Sequence, residues 1–255
     1  MSDLGTLLDE VVRVVRAGGE LVMSVYSTDF AVRGKDDASP VTEADERAEA
    51  LMVPMLEALL PGVPVVAEEA VAAGRVPEVA ERFWLVDPLD GTKEFISRNG
   101  EFTVNVALVE HGQPVLGVVL APALGRLFAG ARGLGAFVED AAGRRPIQVR
   151  PVPEAGLTVV ASRSHGDAEA LERFLAGRKV AETRSAGSSL KICLVAAGEA
   201  DVYPRLGRTM EWDIAAGHGV LAAAGGRIDR VDGGALAYGK PGFDNPHFAA
   251  WGAAG

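Results

Sequence analysis

Three acidic clusters in this sequence sit where short apolar runs end. Glu68-Glu69 follows Val63 to Ala67, Asp87-Pro88-Leu89-Asp90-Gly91-Thr92 follows Phe83-Trp84-Leu85-Val86, and Asp213 opens a small-residue helical stretch. Carboxylates placed just past apolar strands can face one crevice while the strands supply a rigid base. Between Asp87 and Asp90, Pro88 stiffens the turn and keeps the residue before it out of the helical region. Such a turn can aim two carboxylates and the Leu89 carbonyl at one point. All of these are hard oxygen donors, a set that suits Mg²⁺, Mn²⁺ or Ca²⁺ rather than zinc or copper. If a helix starts at Gly91-Thr92, its free N–H groups can hold a phosphate.

Each piece also has a plainer reading. Asp and Gly are favoured in ordinary turns for backbone reasons. Glu68-Glu69 reads equally as a solvated loop, and Asp213 as a charge that complements a helix dipole. Asp45 lies three residues after Thr42, the spacing of a capping box, and is most simply a cap. Taken singly, the pieces leave both readings open.

The elements that must position these groups follow from hydrophobic spacing. Leu4, Leu7, Leu8, Val11, Val15, Val22 and Val25 predict an amphipathic opening helix with a weak point at Gly18-Gly19. A polar loop, 33–40, follows. A second helix is expected from Thr42, with Leu51, Met52, Met55, Leu56 and Leu59 as its apolar face, an interruption or kink at Pro54 and an end at Pro61-Gly62. Short strands at 63–67, 83–86, 102–109, 115–120, 127–131 and 136–139, joined by Gly/Pro turns, predict an antiparallel meander. After about residue 150 strand and helix alternate: strands at 157–161, 179–183 and 201–204, and helices at 167–176, 188–197 and 212–224. That rhythm indicates a layered α/β half. The expectation is a single unit, residues 1–255, with an α+β half over about 1–150 and an α/β half over about 151–255.

The whole chain bounds the function. Its 255 residues are 48% hydrophobic and 24% charged, as in a soluble globular protein. A formal net charge of −10 argues against general nucleic-acid binding, which needs a basic surface. The single cysteine, Cys193, excludes a disulfide within the chain and reads as a buried core thiol. Asp3, Asp9, Glu10, Arg13 and Arg16 interrupt the N-terminal stretch, so no signal peptide is expected, and no apolar run is long enough to span a membrane. A cytoplasmic location is the default, with peripheral attachment at the inner face of the membrane left open, as is the oligomeric state.

In combination the pieces resemble a known family. Trp84-Leu85-Val86-Asp87-Pro88-Leu89-Asp90-Gly91-Thr92 is similar to the central motif of the inositol monophosphatase superfamily, and Glu211-Trp212-Asp213-Ile214-Ala215-Ala216-Gly217 resembles its second motif. Val66-Ala67-Glu68-Glu69 and Ser39-Pro40-Val41-Thr42-Glu43-Ala44-Asp45 resemble its two other active-site stretches. Within the superfamily, Lys93-Glu94-Phe95-Ile96, Arg98 to Asn105, Ser162 to His165, Gly187 to Lys191 and Tyr203-Pro204-Arg205 resemble the bacterial 3′(2′),5′-bisphosphate nucleotidases of the CysQ type. The resemblance implies the layered αβαβα sandwich of the sugar phosphatases. It also implies a lithium-sensitive enzyme of sulfur assimilation that cleaves the 3′-phosphate of adenosine 3′,5′-bisphosphate to give AMP. Glu68, Asp87, Asp90, Asp213 and the Leu89 carbonyl would bind two or three Mg²⁺ ions. Asp45 and Thr92 would position and activate water. Glu68, Leu89, Asp90, Gly91, Thr92, Ser188, Lys191 and Asp213 would contact the substrate.

Two other readings remain: a phosphatase of the same superfamily acting on inositol or sugar phosphates, and a silent nucleotide- or metal-binding protein. The four histidines form no catalytic set. His165 lies in a nucleotidase-like stretch and is placed either beside the substrate or in a surface loop. His111 is expected in solvent and His218 packed, and His247 has no arguable role.

Overall fold

The computed structural model describes residues 3–34, 40–162 and 168–253. Helix α1 (Leu4–Tyr26) buries Leu7, Leu8, Val11, Val15, Val22 and Val25 along one stripe, at the helical period seen in the sequence. Gly18 and Gly19 do not weaken it, because they are contact points. A Cβ on Gly18 would lie 2.3 Å from the Met52 sulfur, and one on Gly19 would lie 2.4 Å from Leu120 Cδ2. Two very short antiparallel strands, β1 (Val32–Gly34) and β2 (Pro40–Thr42), flank the expected polar loop, of which 35–39 lie outside the described residues.

Helix α2 (Glu43–Leu59) starts where the cap spacing places it. The Thr42 hydroxyl accepts from Ala44 N, and Asp45 returns a bond to Thr42 N. The helix runs through Pro54 without interruption. Met52 and Leu56 are buried with Ala44 and Ala48, whereas Leu51 is exposed. Leu51 lies about 100° around the helix from Met52 and falls on the solvent side of this narrower stripe.

The next run of elements is β3 (Val65–Ala67), α3 (Glu68–Ala72), β4 (Arg82–Asp90), α4 (Thr92–Ile96), β5 (Thr103–Glu110), β6 (Gln113–Ala121), β7 (Arg126–Ala131), β8 (Gly135–Asp140) and β9 (Gly143–Ile147). They build a seven-stranded sheet in chain order, β3 to β9. The predicted meander holds from β4 onward. β3 joins in parallel, since α3 carries the chain back before β4. Period-two alternation sends Trp84, Val86, Val104 and Val106 toward α1 and α2, and Phe83, Leu85, Ala107 and Val109 to the other face.

The second half contains β10 (Leu157–Ser162), α5 (Ala168–Leu175), β11 (Val180–Ala186), α6 (Leu190–Ala196), β12 (Val202–Arg205), α7 (Glu211–Ala223), β13 (Arg227–Arg230) and β14 (Phe248–Trp251). Its five-stranded sheet has the order β11-β10-β12-β14-β13, parallel over the first three strands and antiparallel over the last joins. Helices α6 and α7 fill the space between the sheets. Ile192, Cys193, Trp212, Ile214 and Val220 pack with Phe83, Leu85 and Phe128 on one side and with Tyr203, Phe248 and Ala250 on the other. On the outer face, Leu171 and Phe174 of α5 cover Leu157, Val159 and Val202. The layers are therefore helix, sheet, helix, sheet, helix. Among the described residues, no helix is long and apolar enough to cross a membrane.

Helix α7, which carries Asp213, lies unusually close to the larger sheet. A Cβ on Gly117 of β6 would fall 2.1 Å from the Ala216 carbonyl oxygen, a backbone atom that cannot swing aside. Gly117→Ala is therefore expected to push α7 off the sheet and destabilise the fold by about 1–3 kcal/mol or more, as overpacking does. Urea unfolding checks this, and an unchanged midpoint would contradict it.

Candidate active site

The strand pairing explains how the Asp87 to Asp90 turn is made. Asp87 pairs with Asn105 and Asp90 with Thr103, so β4 takes three steps where β5 takes two. The extra residue is a bulge, which bends a strand and re-aims its side chains. Pro88 has no N–H to offer a ladder and is tolerated at such a point. Leu89 N donates to Asp87 Oδ1 at 3.0 Å and closes the turn. Gly91 then sits at φ 88°, ψ 45° as the residue before α4, a left-handed conformation that favours glycine.

Glu68, Asp87, Leu89, Asp90, Gly91, Thr92, Ser188, Lys191 and Asp213 all line one cleft of about 250 Å³. Every site residue predicted from sequence is gathered there except Asp45, which stands behind Thr92. The Thr92 hydroxyl lies 3.3 Å from Asp45 Oδ1, to which it donates, and 3.4 Å from the Leu89 carbonyl. Asp45 Oδ2 accepts from both the amide and the hydroxyl of Thr42 at 2.8 Å, so the sequence-level reading of a cap also holds.

The carboxylates are keyed to backbone donors. Ser189 N donates to Asp90 Oδ2 at 2.6 Å, and Met210 N to Asp213 Oδ2 at 2.9 Å. Burial pushes Asp87 and Asp213 well above the usual carboxylate range, and the charges of Glu68 and Asp90 raise both further. Asp90 is pushed up to about 6 by burial, opposed by the Lys191 ammonium and the Ser189 amide. Burial raises Asp45 as well, against its bonds from Thr42. Lys191 is pushed down to about 8 by burial, with the Asp90 charge opposing.

So much negative charge out of water calls for a cation. Among the described residues, no three or more Asp, Glu, His or Cys side chains are drawn into a closed metal cage. The acids instead face a shared cleft. Its donors are carboxylate and carbonyl oxygens, with no His or Cys among the described lining residues, which fits a hard cation such as Mg²⁺. Beside them, the Asn105 side-chain oxygen and the Ser188 hydroxyl are buried without hydrogen-bond partners.

The cleft also holds residues that sequence reasoning did not assign. Ser189 bridges the two halves of the site, as its amide bonds Asp90 and its hydroxyl donates to the Asp213 carbonyl at 2.5 Å. Tyr203, Arg205 and Thr209 also line the cleft. The Lys191 ammonium sits 5.3 Å from the Tyr203 ring centroid, a cation–π distance. Tyr203-Pro204-Arg205 carried a signal in the sequence, because it belongs to a motif-like stretch. Ser189 also lies in such a stretch, Gly187 to Lys191, though its amide contact is not readable there, and Thr209 carries almost no signal.

Outside the cleft, His218 is packed as expected. Its Nδ1 is 2.9 Å from the Tyr238 hydroxyl, and burial pushes it down to about 4. His111 is exposed in its turn, and Cys193 is a buried free thiol. His165 lies outside the described residues.

The model of the inositol monophosphatase family matches residues 3–253. This chain belongs to that family. It is 47% identical over 245 residues to the 3′(2′),5′-bisphosphate nucleotidase CysQ of Escherichia coli K12, a match that covers 95% of this chain and 98% of the relative. The Haemophilus influenzae protein of the same name is 32% identical, with coverages of 95% and 91%. Among solved structures, CysQ from Bacteroides thetaiotaomicron superposes with a TM-score of 0.81 at 35% identity, covering 97% of both chains. An inositol monophosphatase from Thermotoga maritima gives a TM-score of 0.79 at 28% identity, covering 96% of this chain and 92% of the other. The αβαβα layering is thus the family's fold.

Asp90→Asn and Asp213→Asn each remove one charge from the cleft while keeping its shape. Each is expected to leave the fold intact, weaken Mg²⁺ binding in calorimetry and lower turnover. The activity loss should be at least about 100-fold, the equivalent of several kcal/mol of metal stabilisation. Near-normal binding and turnover in a folded variant would remove that residue from the metal set.

Proposed function

We propose that this protein is a Mg²⁺-dependent 3′(2′),5′-bisphosphate nucleotidase that converts adenosine 3′,5′-bisphosphate to AMP and phosphate. The observation that carries this reading is the polarity of one cleft. Glu68, Asp87, Asp90 and Asp213 line it together with two basic side chains, Lys191 and Arg205. A substrate with two phosphates meets both sets: the scissile group beside the acids and their cations, the second group beside the two basic side chains. The relatives at 47% identity carry the nucleotidase name, which supports the same substrate class.

Glu68, Asp87, Asp90, Asp213 and the Leu89 carbonyl would hold two or three Mg²⁺ ions. When bound, Mg²⁺ supplies Lewis-acid charge toward the phosphoryl oxygens and acidifies water. The N–H groups of Gly91 and Thr92, at the start of α4, would orient the phosphoryl group. The Thr92 hydroxyl, already hydrogen-bonded to Asp45, takes the proton of the attacking water as it passes its own to Asp45. Burial raises the proton affinity of Asp45 and suits it to that task. Among the described lining residues there is no Ser-His-Asp or Cys-His set, and direct attack by water without a covalent intermediate is the route they support.

An inositol or sugar monophosphate brings a single phosphate and would leave Lys191 and Arg205 without a second phosphate to bind. The catalytic unit spans both halves of the chain, because Asp213 comes from the second and the other acids from the first.

Phosphate release from adenosine 3′,5′-bisphosphate and inositol 1-phosphate, measured side by side, tests the reading. Strong Mg²⁺-dependent preference for the bisphosphate is expected, with inhibition as Li⁺ is titrated against Mg²⁺. Preference for inositol 1-phosphate would move the protein to the other branch of the family. Tight nucleotide binding without turnover would make it a sensor.

A further inference from the structure

Glu49 is a buried carboxylate that the chemistry above does not use. It lies on α2 one turn beyond Asp45, on the same helix face. It does not line the catalytic cleft. It borders a separate groove between α2 and the β3–α3 segment, together with Glu46, Ala67 and Glu69. A carboxylate in such a place is costly unless its oxygens are bonded.

Its bonds go to α3. The first N–H groups of any helix lack partners within the helix. The residue before α3 is Ala67, which has no side chain able to cap it, and no side-chain cap comes from that position. Glu49 supplies the cap from outside. Its Oε2 accepts from Glu69 N at 2.7 Å. A negative charge at this end of a helix is favourable. The residue that immediately precedes the capped amide is Glu68, which faces the cleft.

We infer that Glu49 is a positioning residue, whose cap on α3 fixes Glu68 at a set distance from Asp45. Both Asp45 and Glu49 ride on α2, and the capping box at Thr42 holds the start of that helix. One side chain therefore ties the wall that carries the proton acceptor to the wall that carries a metal-facing carboxylate. Without the cap, α3 keeps its sequence but loses the bond that orients its first turn, and Glu68 must be ordered by the cation itself. Metal affinity falls as a result, while groups that act on the phosphate are unchanged. This inference rests on Glu68 being a metal ligand, as proposed above.

The test compares Glu49→Ala, Glu49→Asp and Glu49→Gln in the full-length protein. The alanine variant removes the cap. The aspartate variant keeps the charge but withdraws the oxygens by one methylene. The glutamine variant keeps one acceptor oxygen at the original reach. The alanine and aspartate variants are expected to raise the Mg²⁺ concentration for half-maximal activity by roughly tenfold or more, as loss of a group that orients a metal ligand does. Calorimetric Mg²⁺ affinity of the substrate-free protein should fall in parallel, and turnover at saturating Mg²⁺ should change less. Glutamine should recover most of the affinity. Met52→Ala, a core truncation on the same helix, should lower the melting temperature without moving the Mg²⁺ requirement. Glu68→Gln is measured alongside. If it binds Mg²⁺ like the wild type, Glu68 is not a metal ligand and the reading on which the inference rests fails. If it loses binding while the alanine and aspartate variants at position 49 stay within twofold of wild type, the metal reading stands and the inference about Glu49 is overturned.

Discussion

Carboxylates buried together repel one another, and the structure around this cleft is organised to hold them despite that repulsion. Asp87, Asp90 and Asp213 all have proton affinities raised by burial and by neighbouring charge. Each is fixed by a backbone amide, from Leu89, Ser189 and Met210 respectively. Those bonds set direction but do not neutralise the charge. The remaining demand for positive charge is what the proposed divalent cations would meet, and through them phosphate.

The fold meets this demand by bringing distant segments to one point on rigid supports. β4 delivers Asp87 and Asp90 through a bulge at Pro88. α3 delivers Glu68, and α7 delivers Asp213 from the layer between the sheets. The glycines at 117 and 219 let α7 approach the larger sheet at backbone contact distance. Ser189 then joins the two halves, with its amide on one acid and its hydroxyl on the backbone of another. The acidic net charge of the chain is consistent with a phosphate-handling enzyme once metal ions reverse the local field.

Much of this was legible in the sequence. The Trp84 to Thr92 stretch announced both its strand and its turn, because an apolar run, a proline and a positive-φ glycine follow one another in fixed order. The cap at Thr42 and Asp45 was readable for the same reason: local bonds leave local signatures. Features that depend on tertiary contact were not. Gly18 and Gly19 looked like weak points because helix propensity carries no information about Met52 or Leu120 on the far side. Leu51 looked like core because composition alone does not fix helix phase. β9, β13 and β14 escaped because Gly143-Arg144-Arg145-Pro146-Ile147 and the later segments lack a sustained apolar alternation. Glu49 carried no signal at all, since its role as a cap exists only when α2 and α3 pack together.

The most direct test of the central claim is anomalous diffraction from crystals of the protein soaked in Mn²⁺, used as an electron-rich stand-in for Mg²⁺. The account predicts strong peaks within coordination distance of Glu68, Asp87, Asp90, Asp213 and the Leu89 carbonyl. Peaks confined to other parts of the molecule, with these oxygens uncoordinated at saturating Mn²⁺, would contradict it.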